Sequence, residues 1–418
     1  MSSPSPAATF LPLGRYRVLD LSDETGALCG RLLGDLGADV LKVEPPGGDP
    51  SRNRAPFYHD EAHPEKSLSW WAYNCNKRGI TLDIAAADGK VILKKLVATA
   101  HFFITTFPPN YMPSLGLGYS ELAKLNPGLI EIAITPFGRE GPYSAYTGDD
   151  IVAMAAGGMM NLCGTEDRPP LRMGIPQSHA FVGAQAAVGA MIAHAKRLAT
   201  GEGSSVDVSM QEAVANMLTN TQQHWFAEKE VEHRGEKHLY GGRLTRGVFP
   251  AKDGYIASHI FWGPGPGGRM RGLAQWMQDK GFETTIKNTD FNKVTGGAIT
   301  QGQVDAWEGE MAAFFSRFTK DEIYREALRR RAFLFPVSSP RDLLENEQLK
   351  ARGFFEPVNH PEMKADVIYP GAFLRYHGAA QSIRRRPPLI GEHNSEVYVD
   401  ELGYSRDELI CLAEAGVI

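Results

Sequence analysis

Apolar positions in the N-terminal half switch repeatedly between two periods. Residues 18–21 (VLDL) form a short β-type run. Ala27, Leu28, Leu32, Leu33 and Leu36 then recur at helical spacing, with Gly37 as the stop. A second β-type run follows at 38–43 (ADVLKV). Strand, helix and strand packed this closely read as a βαβ crossover between parallel strands. The alternation continues with a strand at 79–84, a helix after Asp88, a strand at 101–106, a helix at 120–124 and a strand at 129–135. It predicts a parallel sheet covered by helices on both faces, an α/β fold. Helices are expected at 151–160 and 179–199, and "VDVSMQEAVANMLTNTQQHWFAE" reads as a strand running into a helix.

The texture changes near residue 234, where glycine-rich loops (LYGGRLTRG, WGPGPGGR) precede a helical stretch from Gln303 to Arg331. We therefore expect a large domain over 1–205, a linker helix over 206–233, a smaller α+β domain over 234–335 and a C-terminal segment over 336–418. A small helix closing the chain has Ser405 as its expected N-cap.

Charge narrows the function. With 44 basic against 49 acidic residues the net charge is −5, and no basic stripe accompanies it, so nucleic acid is not an expected partner. No apolar run reaches membrane-spanning length and the N-terminus does not read as a signal peptide, which points to a cytoplasmic protein without a membrane partner. The four cysteines lack C-x-x-C spacing and read as reduced thiols, and His59 and His63 in "FYHDEAHPE" read as an exposed polar loop, so no metal is expected. The turn after the first strand, "SDETGALCG", lacks G-x-G-x-x-G, and neither a P-loop nor G-x-S-x-G occurs. Dehydrogenase, P-loop enzyme and α/β-hydrolase are disfavoured.

What remains is an ordered series: "RLLGDLGADVLKVEPPGGDPSR", "NCNKRGITLDI", "TTFPPNYMPSLGLGYSELAKLNPGLI", "PFGREGPY", "GDDIVAMAAGGMM", "MGIP", "PVSSPRDLLENEQLKARGFF" and "LGYSRDELICLAEAGVI". Together these resemble the class III coenzyme A transferase (CaiB/BaiF) family over nearly the whole chain. The resemblance implies a Rossmann-like large domain completed by the C-terminal segment, a smaller domain, and dimers interlocked like links of a chain. It also implies coenzyme A or an acyl-CoA as substrate, a carboxylic acid as the second reactant, and no permanently bound cofactor. Carried over by motif, Ser22, Asp23, Glu24 and Thr25 approach the pantetheine and thiol end. Lys77 and Arg78 of "NKRG" contact the nucleotide phosphates or solvate the start of a strand. Met112 flanks the adenine or belongs to the core, and Gly138 joins the CoA contacts. Gly241 and Gly242 are candidates for a lid over the thioester, with ordinary turns as the other reading. Trp70 and Trp71 suit an aryl substrate or, more plainly, core packing.

The same resemblance exposes an anomaly. Where family transferases end "G-x-P-x-x-D" in the nucleophilic aspartate, "GIPQSH" ends in His179. That aspartate attacks the donor thioester, giving a mixed anhydride and CoA thiolate. The thiolate then attacks the aspartyl carbonyl, leaving an enzyme–CoA thioester and the free donor acid, and the acceptor carboxylate reverses these steps. An oxygen atom must pass between acyl group and enzyme, which imidazole cannot supply. At the mouth of a helix a histidinium is also disfavoured, so neutral imidazole is expected.

Three readings follow. In the first, the chain is the degenerate subunit of a CoA-transferase built from two related chains, as in the succinyl-CoA:benzylsuccinate CoA-transferases, and its partner carries the aspartate. In the second, it is an acyl-CoA racemase whose His179 and Asp149 have exchanged places relative to the racemase "GHD" string and aspartate, the two acting as proton-transfer bases. In the third, it is a non-enzymatic CoA-ester-binding assembly subunit.

Overall fold

The computed structural model describes residues 11–376 and 382–418, apart from 233, 236 and 241. Two compact units emerge. The larger comprises the chain through Asn161, Arg172–Val231 and Gln348–Ile418; the smaller comprises Leu162–Leu171 and Glu232–Glu347.

The larger unit is built on β1 (Arg17–Leu21), α1 (Ala27–Asp35), β2 (Asp39–Glu44), α2 (Leu68–Asn74), β3 (Lys77–Thr81), α3 (Ala87–Thr99), β4 (Phe102–Thr105), α4 (Tyr111–Ser114), α5 (Tyr119–Leu125) and β5 (Ile130–Thr135). It continues with α6 (Asp150–Ala156), α7 (Ser178–Thr200), β6 (Ser204–Ser209), α8 (Met210–Asn216) and α9 (Thr219–Glu228). Six parallel strands lie in the order β3-β2-β1-β4-β5-β6. The chain winds outward from β1 to β3, returns to β4, and winds outward again to β6. Loops after β1 and β4 therefore diverge at the sheet's C-terminal edge, leaving a crevice where ligands bind in open α/β sheets.

One apolar layer joins Val18, Val40, Ile104 and Ile132 to Leu33 of α1, Val182 and Ala186 of α7, and Ala213 of α8. The opposite layer joins Leu19, Leu41 and Phe103 to Ile92 and Leu96 of α3 and to Val397, Tyr398 and Val417. The C-terminal segment thus completes the large unit, with Tyr398 Oη donating to the Thr81 carbonyl at 2.5 Å and Asp83 N to the Val417 carbonyl at 2.7 Å.

Two boundaries differ from the sequence expectation. The stretch expected as a linker helix over 206–233 instead supplies most of edge strand β6 and all of α8, whose Met210 and Ala213 are in the core. A ten-residue excursion, Leu162–Leu171, belongs with the smaller unit, which no periodicity announced.

That smaller unit holds the hairpin β7 (Lys237–Tyr240)–β8 (Arg243–Arg246), an antiparallel sheet including β9 (Val248–Ala251) and β10 (Gly254–Ala257), and helices α10 (Gly268–Asp279), α11 (Gln301–Phe315) and α12 (Lys320–Arg330). Its core centres on Trp276, Met311, Phe314 and Phe315. Among the described residues no helix is long and apolar enough to cross a membrane.

Candidate functional site

Helix α7 is built to lie close. Its inward face carries Gly183, Ala186, Ala187, Ala190 and Ala193. A Cβ at Gly183 would come within 2.8 Å of Leu28 Cβ, so glycine there permits the contact with α1. Seating α7 this way fixes its first turn, where His179 is the second residue and nearly buried at 6% exposure.

The first turn is held by a carboxylate from the neighbouring helix. Asp150, the first residue of α6 and 1% exposed, accepts from Gln177 N at 2.9 Å, Ser178 N at 3.0 Å and Ser178 Oγ at 2.9 Å. Arg172 Nε lies 3.4 Å from its other oxygen. Asp150 thus supplies acceptors that an unpaired helix N-terminus demands. Asp149 caps α6 instead, accepting from Asp150 N at 2.7 Å. Replacing Asp150 by alanine strands those donors and is expected to cost about 2–4 kcal/mol. A urea midpoint that moves by less than about 0.5 kcal/mol equivalent would discard this account.

Asp149 Oδ1 lies 3.4 Å from His179 Nε2, within ion-pair reach but outside hydrogen-bond geometry. Among the described residues that buried nitrogen has no hydrogen-bond partner. Burial pulls the His179 pKa below its ordinary value, and Asp149, Asp150 and Asp23 oppose this only in part. The ring is neutral at pH 7, with burial the largest cause. Burial acts upward on Asp149, yet the hydrogen bond from the Asp150 N–H, with the Arg54 cation, brings its pKa below the ordinary value. Two bases this close would have to separate to flank an α-carbon as a two-base racemase requires.

A cavity of about 400 Å³ opens beside His179, within the usual range for small-molecule sites. Its lining includes Glu24, Arg54, Trp70, Tyr73, Arg172 and Ile175. Arg54 reaches Glu24 at 2.6 Å and Asp149 at 3.9 Å. Burial pushes the Glu24 carboxyl up to about 7, even with Arg54 pulling it down. A second cavity of about 370 Å³ lies at the β1/β4 crevice, lined by Asp23, Glu44, Thr106, Phe107 and Tyr111 among others. The loop after β1 separates the two: Asp23, whose backbone N–H donates to Thr106 Oγ1 at 2.9 Å, lines one, and Glu24 lines the other. Ser22 is fully buried, donating to Asp20 at 2.5 Å, and Thr25 is half-buried.

Other expected contacts sit elsewhere. Lys77 is buried in an ion pair with Asp20 at 2.8 Å and also donates to the Ala27 carbonyl and Asn74 Oδ1. Arg78 joins Asp39, Glu396 and Glu401. Their charges are satisfied internally, which removes the basis for placing them on external phosphates. Met112, 3% exposed, packs in the core with Leu117 and Leu122 and is not offered to an adenine ring. Gly138 is a buried turn residue with φ +88°. Gly242 occupies the β7–β8 turn with φ +78°, an ordinary hairpin use of glycine, while Gly241 lies outside the described residues. Trp70 and Trp71 are 3% and 4% exposed. His59 lies in an exposed turn, and no cluster of metal-ligating side chains occurs among the described residues.

Sequence reasoning missed Asp150, Arg54 and Arg172. Asp150 had a signal, a second acid directly before an apolar helix. The two arginines had none, because nothing local shows which cavity an irregular segment will line.

Comparison with known proteins fits this geometry. The sequence profile of CoA-transferase family III matches residues 13–394. The chain is 33% identical over 97% of its length and 97% of the relative to succinyl-CoA:(R)-benzylsuccinate CoA-transferase subunit BbsE of Thauera aromatica. It is 29% identical, over the full length of both chains, to succinyl-CoA–D-citramalate CoA-transferase of Chloroflexus aurantiacus. Among solved structures, a CaiB/BaiF family protein from Brucella suis superposes with a TM-score of 0.78 at 25% identity, covering 93% of this chain and 99% of that one. Enzymes of this family take CoA thioesters as substrates and carry no permanent cofactor. By these matches and by its six-stranded parallel sheet, the chain belongs to CoA-transferase family III.

Proposed function

We propose that this chain is the degenerate subunit of a two-chain cytoplasmic CoA-transferase, which moves CoA from a donor such as succinyl-CoA to an organic acid, an aryl-substituted succinate among the candidates. The observation that carries the reading is His179, a neutral, buried imidazole at the mouth of α7, which we match by motif to the position of the family's nucleophilic aspartate. The relative BbsE is a subunit of the benzylsuccinate CoA-transferase, which is compatible with it. So is the malate CoA-transferase alpha subunit of Chloroflexus aurantiacus, 27% identical over the full length of this chain.

The surface supports a second chain. Helix α9 has no buried residue, and its Trp225 and Phe226 are 53% and 80% exposed. On α7, Val188 and Ile192 stand outward one turn apart. Apolar exposure on this scale is what a large subunit interface covers, and an interlocked dimer would provide one. For the substrate, we place the acyl-CoA across the loop 22–25, with its nucleotide end in the β1/β4 crevice and its thioester beside Glu24 and His179.

Native mass spectrometry of the protein from its source cell tests the reading. The expected assembly contains a homologous chain bearing G-x-P-x-x-D. A homodimer that exchanges CoA unaided overturns it.

A further inference from the structure

Arg54 and Arg172 enter the same cavity from separate segments, and each is about half exposed, at 50% and 49%. Arg54 holds Glu24 at 2.6 Å and lies 3.9 Å from Asp149, Arg172 holds Asp150, and each guanidinium has donors to spare. The lining also includes the apolar residues Ala55, Pro56, Leu68, Ile175 and Pro176, with Ser51, Ser69 and Asn74.

From this arrangement we infer that Glu24 is a built-in occupant of a carboxylate site, and that a dicarboxylic acid with an apolar body displaces it from Arg54 while its second carboxylate meets Arg172. The inference rests on the acid acceptor of the proposed function and deepens it, and concerns binding by this chain whether or not this chain supplies the nucleophile. Arginine suits the exchange because its planar fork takes one carboxylate in place of another without changing charge. The displaced Glu24 loses its ion pair with Arg54 in a half-buried site. The charged groups facing it are then Asp23 on its own loop, Asp149 at the start of α6, and Asp49, whose charge is already taken by Lys42 at 3.4 Å. His179 is neutral at this pH and offers no compensating charge. Glu24 must therefore take up a proton from solvent as the acid binds. With its carboxyl already near 7, uptake is expected above that pH and vanishes below it, where Glu24 is protonated beforehand.

The test is calorimetric titration of phenylsuccinate into the full-length protein, with any chain that co-purifies, at about pH 7.5 in phosphate and in Tris, whose ionisation heats differ. Binding is expected with fractional proton uptake, weakening by up to about tenfold per pH unit above 7.5. 3-Phenylpropionate, with one carboxylate fewer, is expected to bind roughly tenfold more weakly, and Arg54→Gln to lose a similar factor. Glu24→Gln is the decisive variant: it is expected to bind phenylsuccinate severalfold more tightly, without proton uptake and without pH dependence. A purely structural Glu24 would give unchanged or weaker binding. No binding at millimolar phenylsuccinate, binding without buffer dependence, or a Glu24→Gln variant that fails to tighten overturns the inference. Failure here alongside a co-purified aspartate-bearing partner leaves the proposed function standing. An unaided active homodimer that binds phenylsuccinate with proton uptake does the reverse.

Discussion

Lys77→Met is expected to lower the stability of the larger unit by about 3–5 kcal/mol, read as the shift of its urea unfolding transition. Lys77 and Asp20 are fully buried and 2.8 Å apart. Removing the ammonium leaves Asp20 charged inside the core with only the Lys42 cation nearby, and strands the Ala27 carbonyl and Asn74 Oδ1. The double variant Asp20→Asn/Lys77→Met removes both charges and is expected to recover more than half of the loss. That non-additivity is the signature of a coupled pair. A lysine reaching out to a CoA phosphate predicts the opposite: unchanged unfolding, weaker CoA binding, and a loss that grows as salt is lowered. A Lys77→Met protein as stable as its parent would return this residue to the ligand.

The same residue explains what the sequence made legible and what it hid. The parallel sheet could be read because its strands carry apolar residues on both faces, as in β4, where Phe102 and Ile104 join one layer and Phe103 the other. Strand β3 was placed two residues late, at 79, because it begins with Lys77 and Arg78. A buried ion pair and a solvated strand start look identical in one dimension. Only the fold brings Asp20 from β1 and Glu401 from the C-terminal segment to meet them. The pair Asp149–Asp150 is a second case. Two adjacent acids before a helix announce a cap, but not that one caps its own helix while the other turns back to hold α7. His179 stood out because its position is defined by a motif with known chemistry. The arginines opposite it did not, since a cavity wall drawn from irregular segments has no period.

In the two-chain enzyme proposed above, His179→Ala is expected to change the CoA-exchange rate by no more than about threefold, while alanine at the nucleophilic aspartate of the proposed partner chain is expected to cost at least about 10³-fold. The contrast follows from oxygen accounting. Each half-reaction passes an oxygen atom between acyl group and enzyme, which a carboxylate can do and an imidazole cannot. Nor does His179 hold Asp149 in place for that task. The two are 3.4 Å apart without a hydrogen bond, and Asp149 is fixed instead by the Asp150 N–H at 2.7 Å. Removing the ring therefore deletes a neutral side chain from a cavity wall and leaves the neighbouring carboxylates where they are. Both variants should be assayed at saturating donor and acceptor, so that a changed affinity is not mistaken for a changed chemical step. If His179→Ala abolished exchange and the partner's aspartate proved dispensable, the chemistry would belong to this chain, and the Asp149 carboxylate beside the empty position would be the group to test next.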